Sequence, residues 1–307
     1  MVYEQQKNKI YKTSFLFLFI CFAIIFVIPT ANAGIGDFPQ VMCDSINNGV
    51  VETITDIFSP DNEFFTSMTA TKSGTMVAGI SKLMKGVAGF IIIIISMVHL
   101  FQELNRGKDG VEAVLRMLME LFITMFIVMQ LDKLLGYIVQ IGVVFITDVS
   151  DLVTDTKFEG ITLKKITGKS SGGIIWWIQS FAILIVPYIF SLLFSLVAQF
   201  MAFSILIEIG IRRAFAPIPV CFIYGEGLRS PGARYLLRFL AVFIKICICL
   251  AVCGLEKELI NAALDDSTTG MGMGECLTYI FTTVAVNLTG VGVMAKGGEY
   301  ANEIVGT

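Results

Sequence analysis

The chain has 307 residues, of which 55% are hydrophobic and 15% charged, and its formal net charge is -3. A soluble domain carries roughly 25% charged residues, so this composition excludes an ordinary water-soluble globule and points to an all-α, polytopic helical membrane protein. The near-neutral balance also supplies no bulk positive charge with which to hold a nucleic acid.

The first 33 residues read as a secretory signal peptide. Lys7, Lys9 and Lys12 form a basic start, Phe15 to Ile28 an apolar stretch of about 14 residues, and Ala31-Asn32-Ala33 a small-residue cleavage site. The mature chain is then expected to begin near Gly34 outside the cytoplasm; an uncleaved first helix is the competing reading, and the apolar stretch is short for it. Residues 34–80 are polar enough to form an extracytoplasmic segment, with short amphipathic pieces over Val50–Phe58 and Phe64–Met76 around the Ser59-Pro60-Asp61-Asn62 turn.

Residues 81–131 hold the first two predicted transmembrane helices, about Ser81–Phe101 and Val111–Leu131. Arg106 and Lys108 in the short turn between them favour the cytoplasmic side. Arg116 and Glu120 share one face of the second span, with Arg first, which is the weaker order. Residues 132–173 are expected to be an extracytoplasmic loop. Within it Leu134–Ile146 is apolar over about 13 residues, short for a crossing and better suited to an interfacial or re-entrant helix. Lys164, Lys165 and Lys169 argue against placing that loop outside.

Residues 174–307 carry three more predicted transmembrane helices, making about five after a cleaved signal peptide. The first is apolar from Ile174 to Ile207, opens on Trp176 and Trp177 as an aromatic belt would, and is read as one long helix in preference to a hairpin at Pro187. Ser191, Ser195, Ala198 and Ala202 place small residues on one face of it, where another helix is expected to pack closely. An elbow at 208–234 follows, broken by Pro217 and Pro219 and turned through Gly225, Gly227, Pro231 and Gly232. Arg212, Arg213, Arg229, Arg234 and Arg238 gather there, the strongest cytoplasmic signal in the chain. The last two spans are about Tyr235–Leu255 and Leu277–Met294, separated by an outer loop containing Glu256, Glu258, Asp265 and Asp266. The N-terminus is therefore expected outside and the C-terminus inside.

Few side chains invite chemistry. The single histidine, His99, cannot alone build a metal site or a hydrolytic triad, and Cys247, Cys249 and Cys253 do not have a zinc spacing. Gly225-Glu226-Gly227 lacks the order of a phosphate loop. No catalytic, cofactor or metal site is expected, and the chain is read as a non-enzyme. Cys43 and Cys276 both fall on the predicted outer side, where a disulfide between them would persist. Glu208 precedes Arg212 by four residues, the favourable order on one helix face. Lys245 sits mid-span, where a lysine costs roughly 3 kcal/mol, and is expected to face a protein-lined interior or find an acidic partner such as Glu208 or Glu120.

The elbow also carries a likeness. Arg212-Arg213-Ala214-Phe215-Ala216-Pro217-Ile218, then Ile223-Tyr224-Gly225-Glu226-Gly227-Leu228-Arg229-Ser230-Pro231-Gly232 and a Tyr235–Leu240 helix start, resembles the TrbL-like polytopic membrane subunits of bacterial conjugation and type IV secretion systems. The likeness is specific around 205–240 and extends from about Phe90 to the C-terminus. It implies an inner-membrane channel or scaffold subunit that works with cytoplasmic ATPases, passes a relaxase-bound DNA strand or protein effectors, and assembles as a homo-oligomer in the lipid bilayer. Partner docking or channel roles then fall to Glu208, Arg212, Arg213, Pro217, Arg229, Arg234 and Lys245. The short central loop and short C-terminal tail depart from larger relatives. A small-solute secondary transporter is the alternative, though paired broken helices in an internal repeat, the usual mark of one, are not found.

Overall fold

The structure, a computed structural model, describes residues 38–69, 76–105, 110–156, 174–223, 230–264 and 273–306. The expected signal peptide lies outside them. All elements in the described residues are helical: α1 Phe38–Phe58, α2 Glu63–Thr69, α3 Met76–Asn105, α4 Gly110–Met129, α5 Leu131–Asp155, α6 Ile174–Phe215, α7 Pro217–Val220 followed by a 3-10 turn at Cys221–Ile223, α8 Pro231–Leu264 and α9 Met273–Val305. Among the described residues, five stretches are long and apolar enough to cross a membrane: Met76–Asn105, Leu131–Asp155, Ser180–Phe215, Pro231–Ala263 and Leu277–Val305. The protein is an all-α, multi-pass membrane protein.

The number of apolar helices matches expectation, but the set differs. The interfacial piece expected at Leu134–Ile146 is part of the 25-residue helix α5. It continues past its apolar run because Thr147 and Thr154 return their hydroxyls to the carbonyls of Val143 and Ser150, both at 2.9 Å, so their polar atoms are satisfied without breaking the helix. Residues 147–155, expected in a loop, are therefore helical. Conversely α4, expected to cross, carries Glu112, Arg116 and Glu120 and is absent from the five on composition.

The 42 residues of α6 form one helix with Pro187 inside it, the single-helix alternative rather than the hairpin. At about 1.5 Å per residue it is roughly 63 Å long, twice a hydrocarbon thickness.

The chain divides into two compact units. The first comprises residues up to 49, 159–193 and 260–285. Its described core contains Met42, Ile46, Leu184, Tyr188, Ile260 and Ile280, and the hydroxyl of Ser191 donates to the Ser45 carbonyl at 2.5 Å. The second comprises residues 50–158, 194–259 and from 286 onward. There Ser195 pairs with Thr53 at 2.6 Å and Ala198 and Ala202 are fully buried, so the small-residue face of α6 does pack closely, with Ser195 against α1.

Helix directions within the second unit follow from its close approaches. Gly142 of α5 lies against the Phe243 ring of α8, and a Cβ on Gly254 would stand 3.3 Å from Val153 Cγ2. Both pairs advance together along the sequence, so α5 and α8 run parallel. Helix α9 runs antiparallel to α8, with Gly290 at Glu256 and Gly297 at Lys245. The start of α3 meets the end of α6, with Val77 beside Gly210, where Met68 of α2 also lies. The charge-based assignment put the start of the first span outside and the end of the third in the cytoplasm. These two ends stand together, so both assignments do not hold at once.

Candidate functional site

The elbow begins where α6 ends at Phe215. Pro217 offers no N–H and disfavours a helical residue before it, yet Ala216 keeps helical angles (φ -51, ψ -34) and accepts the Val220 N–H at 3.2 Å. The break is therefore a tight helical turn rather than an extended strand, and Ala216, Pro217, Val220 and Cys221 are all buried. Cys221 donates its Sγ–H to the Ile218 carbonyl at 2.7 Å, and burial pushes its thiol up to about 11. Residues 224–229, including Arg229, lie outside the described residues.

The next helix starts earlier than the apolar pattern indicates. Ser230 caps α8, its Oγ accepting the Ala233 N–H at 3.2 Å, with Pro231 in the first helical position. Gly232 is forced by close approach: a Cβ there would stand 2.6 Å from the Pro219 carbonyl oxygen and 3.0 Å from the Val220 Cα.

On this frame the charged residues are sorted. Glu208 binds Arg212 at 2.6 Å on the same helix and meets Lys245 of α8 with its other oxygen at 3.6 Å. Arg212 also donates to the Arg238 carbonyl at 3.2 Å, and Tyr235 donates its hydroxyl to the Arg212 carbonyl at 2.6 Å. One carboxylate thus ties α6 to α8 through two cations, and of the two acidic partners expected for Lys245 the structure supplies Glu208. Gly297 and Gly298 lie along the Lys245 side chain, so α9 comes close to its stem.

Arg213 behaves differently from its neighbour. It is 5% exposed and donates to the Thr69 carbonyl at 2.6 Å, with Asp132 in electrostatic reach. Its guanidinium is turned inward as an internal tie and is not a surface group. Asp132 in turn holds Lys85 at 2.6 Å and accepts from Ser81 at 3.3 Å. Arg234 and Arg238 remain on exposed positions of α8. The expected partner of Arg116 is present, with Glu120 at 3.2 Å.

Sequence reasoning missed three participants. Tyr235 and Asp132 sit at helix starts with no charge pattern to mark their partners, which are 23 and 47 residues away. Glu256, expected in an outer loop, lies inside α8, is 2% exposed and has neither carboxylate oxygen hydrogen-bonded. It rests against the bare backbone of Gly290, where any Cβ would collide with it. Cys43 is buried in the first unit, whereas the Cys276 side chain lies outside the described residues, and with it the expected disulfide. Among the described residues no group of three or more histidine, cysteine, aspartate or glutamate side chains is placed to hold a metal ion. No family model, curated protein or solved structure matches the chain.

Proposed function

We propose that the chain is a non-enzymatic channel or scaffold subunit of a conjugative type IV secretion complex in the cytoplasmic membrane, supporting passage of a relaxase-bound DNA strand or protein substrates. The reading is supported by the elbow's resemblance to TrbL-like subunits. The observation that carries it is the arrangement of that elbow: a proline-broken turn packed on its own helices, with Glu208, Arg212 and Lys245 joining α6 to α8 and Arg234 and Arg238 left exposed. Exposed arginines at the start of α8 suit docking of acidic surfaces on cytoplasmic components such as ATPases.

The test is transfer of a mobilisable plasmid from donor to recipient cells. An in-frame deletion is expected to abolish transfer and its complemented strain to restore it. Unaffected transfer would refute the reading and turn attention to solute uptake by the deletion strain. Replacing Arg234 and Arg238 with alanine is expected to lower transfer while leaving the protein inserted in the membrane.

A further inference from the structure

Helices α3 and α4 form an antiparallel hairpin inside the second unit: a Cβ on Gly89 would meet Met125 Cε at 3.8 Å, and Arg116 reaches Glu103 at 4.0 Å. The charges on this hairpin fall into two bands. At its base Lys85 pairs with Asp132 at 2.6 Å. Toward its tip Arg116 gathers Glu120 at 3.2 Å and Glu103 at 4.0 Å. Between the bands, neither Gly86–Gln102 nor Leu121–Leu131 contains an aspartate, glutamate, lysine or arginine. Along α3 the bands at Lys85 and Glu103 are about 27 Å apart at 1.5 Å per residue, close to the roughly 30 Å of a bilayer's hydrocarbon.

The side chains between the bands suit the same solvent. Phe90, Ile94, Phe122 and Phe126 are 62–72% exposed, an apolar surface that water would not tolerate. The hydroxyls there are satisfied within their own helices, Ser96 to the Ile93 carbonyl at 2.8 Å and Thr124 to the Glu120 carbonyl at 2.9 Å, as a dry medium requires. The hairpin's base is beside the elbow, since Asp132 is in electrostatic reach of Arg213 and Val77 lies beside Gly210.

We propose that α3 and α4 cross the bilayer together as a lipid-facing hairpin, so that α4 is a sixth span and the helix ends at Asn105 and Gly110 lie on the membrane face opposite the elbow. Of the three charges that remove α4 from a count by composition, Glu112 and Arg116 are then interfacial, while Glu120, about 18 Å from Asp132 along the chain, sits deeper and is neutralised by Arg116, whose long side chain reaches toward the interface. Arg106 and Lys108, which follow Asn105 in the sequence, pull the other way under the positive-inside bias and are outweighed by the five arginines from Arg212 to Arg238.

The experiment is labelling of single introduced cysteines by a membrane-impermeant maleimide, scored above the unsubstituted protein, in intact spheroplasts and in inverted vesicles. Asn105→Cys is expected to label from one face only and Arg234→Cys from the other only; Ile94→Cys is expected to stay unlabelled from both until detergent is added. Gly110→Cys reads the same tip from the other helix if Asn105→Cys fails to insert. Labelling of the tip and of Arg234→Cys from one common face overturns the proposal, as does labelling of Ile94→Cys in intact membranes. Oxidative crosslinking of Ile94→Cys into a dimer also overturns it, by assigning the surface to a second copy rather than to lipid.

Discussion

Glu208 is one carboxylate shared by two cations, and its two substitutions should not be equivalent. Glu208→Gln leaves Arg212 and Lys245 without their anion in a partly dry setting and is expected to cost about 1–3 kcal/mol. Lys245→Met removes a charge that a membrane helix carries at a cost, and should cost less or stabilise. Thermal unfolding of the detergent-solubilised protein measures both, and the double variant should recover part of the Glu208→Gln loss if the pair is coupled. Cys221 provides a pH-dependent readout. Its thiol is raised from 9.0 to about 11 by burial, so the folded state favours the protonated form. That stability is complete below pH 9 and is lost as the pH rises through 11. Because the thiolate is the nucleophile, maleimide should leave Cys221 unmodified in folded protein at pH 8 and modify it after denaturation.

At the scale of elements, the elbow depends on what glycine permits. Gly232→Ala sets a methyl 2.6 Å from the Pro219 carbonyl oxygen, a backbone atom that cannot rotate away, and is expected to destabilise by about 1–3 kcal/mol. Gly290→Ala drives a methyl into the Glu256 carboxyl; Glu256→Gln, which keeps the shape, should be the milder change in the same unfolding assay. These elements show what the sequence makes legible. The cap Ser230 and Pro231, the single long α6 and its small-residue face can be read from local pattern, because capping, proline placement and helical spacing act within a few residues. The extent of α5 was not readable, since threonines that satisfy themselves look like a loop by polarity. Nor was the inward turn of Arg213, because its acceptor is a backbone carbonyl 144 residues away, and carbonyls carry no residue code. Glu256 is read as a loop residue for a related reason: a buried carboxyl beside a glycine in another helix leaves a charge in the sequence just where the apolar run stops.

Across the whole molecule, composition alone identifies a multi-pass membrane protein, and the five apolar helices bear this out. Sidedness was less legible, because loop charges are read one at a time while packing joins ends that the charge pattern separates. The ion pair of Lys85 and Asp132 ties the base of the α3–α4 hairpin. Lys85→Ala and Asp132→Ala should each cost about 0.2–1 kcal/mol in this half-exposed setting, with a double variant costing less than the sum. The parallel pairing of α5 with α8 bears on how the protein is made. Antiparallel neighbours can pair as soon as the second leaves the ribosome, but parallel ones must wait for the intervening chain. At roughly 5–20 residues per second, synthesis from Asp155 to Pro231 takes on the order of 10 s. Through that interval the Gly142 notch has no Phe243 to fill it, so α5 presents an unfinished surface until α8 emerges.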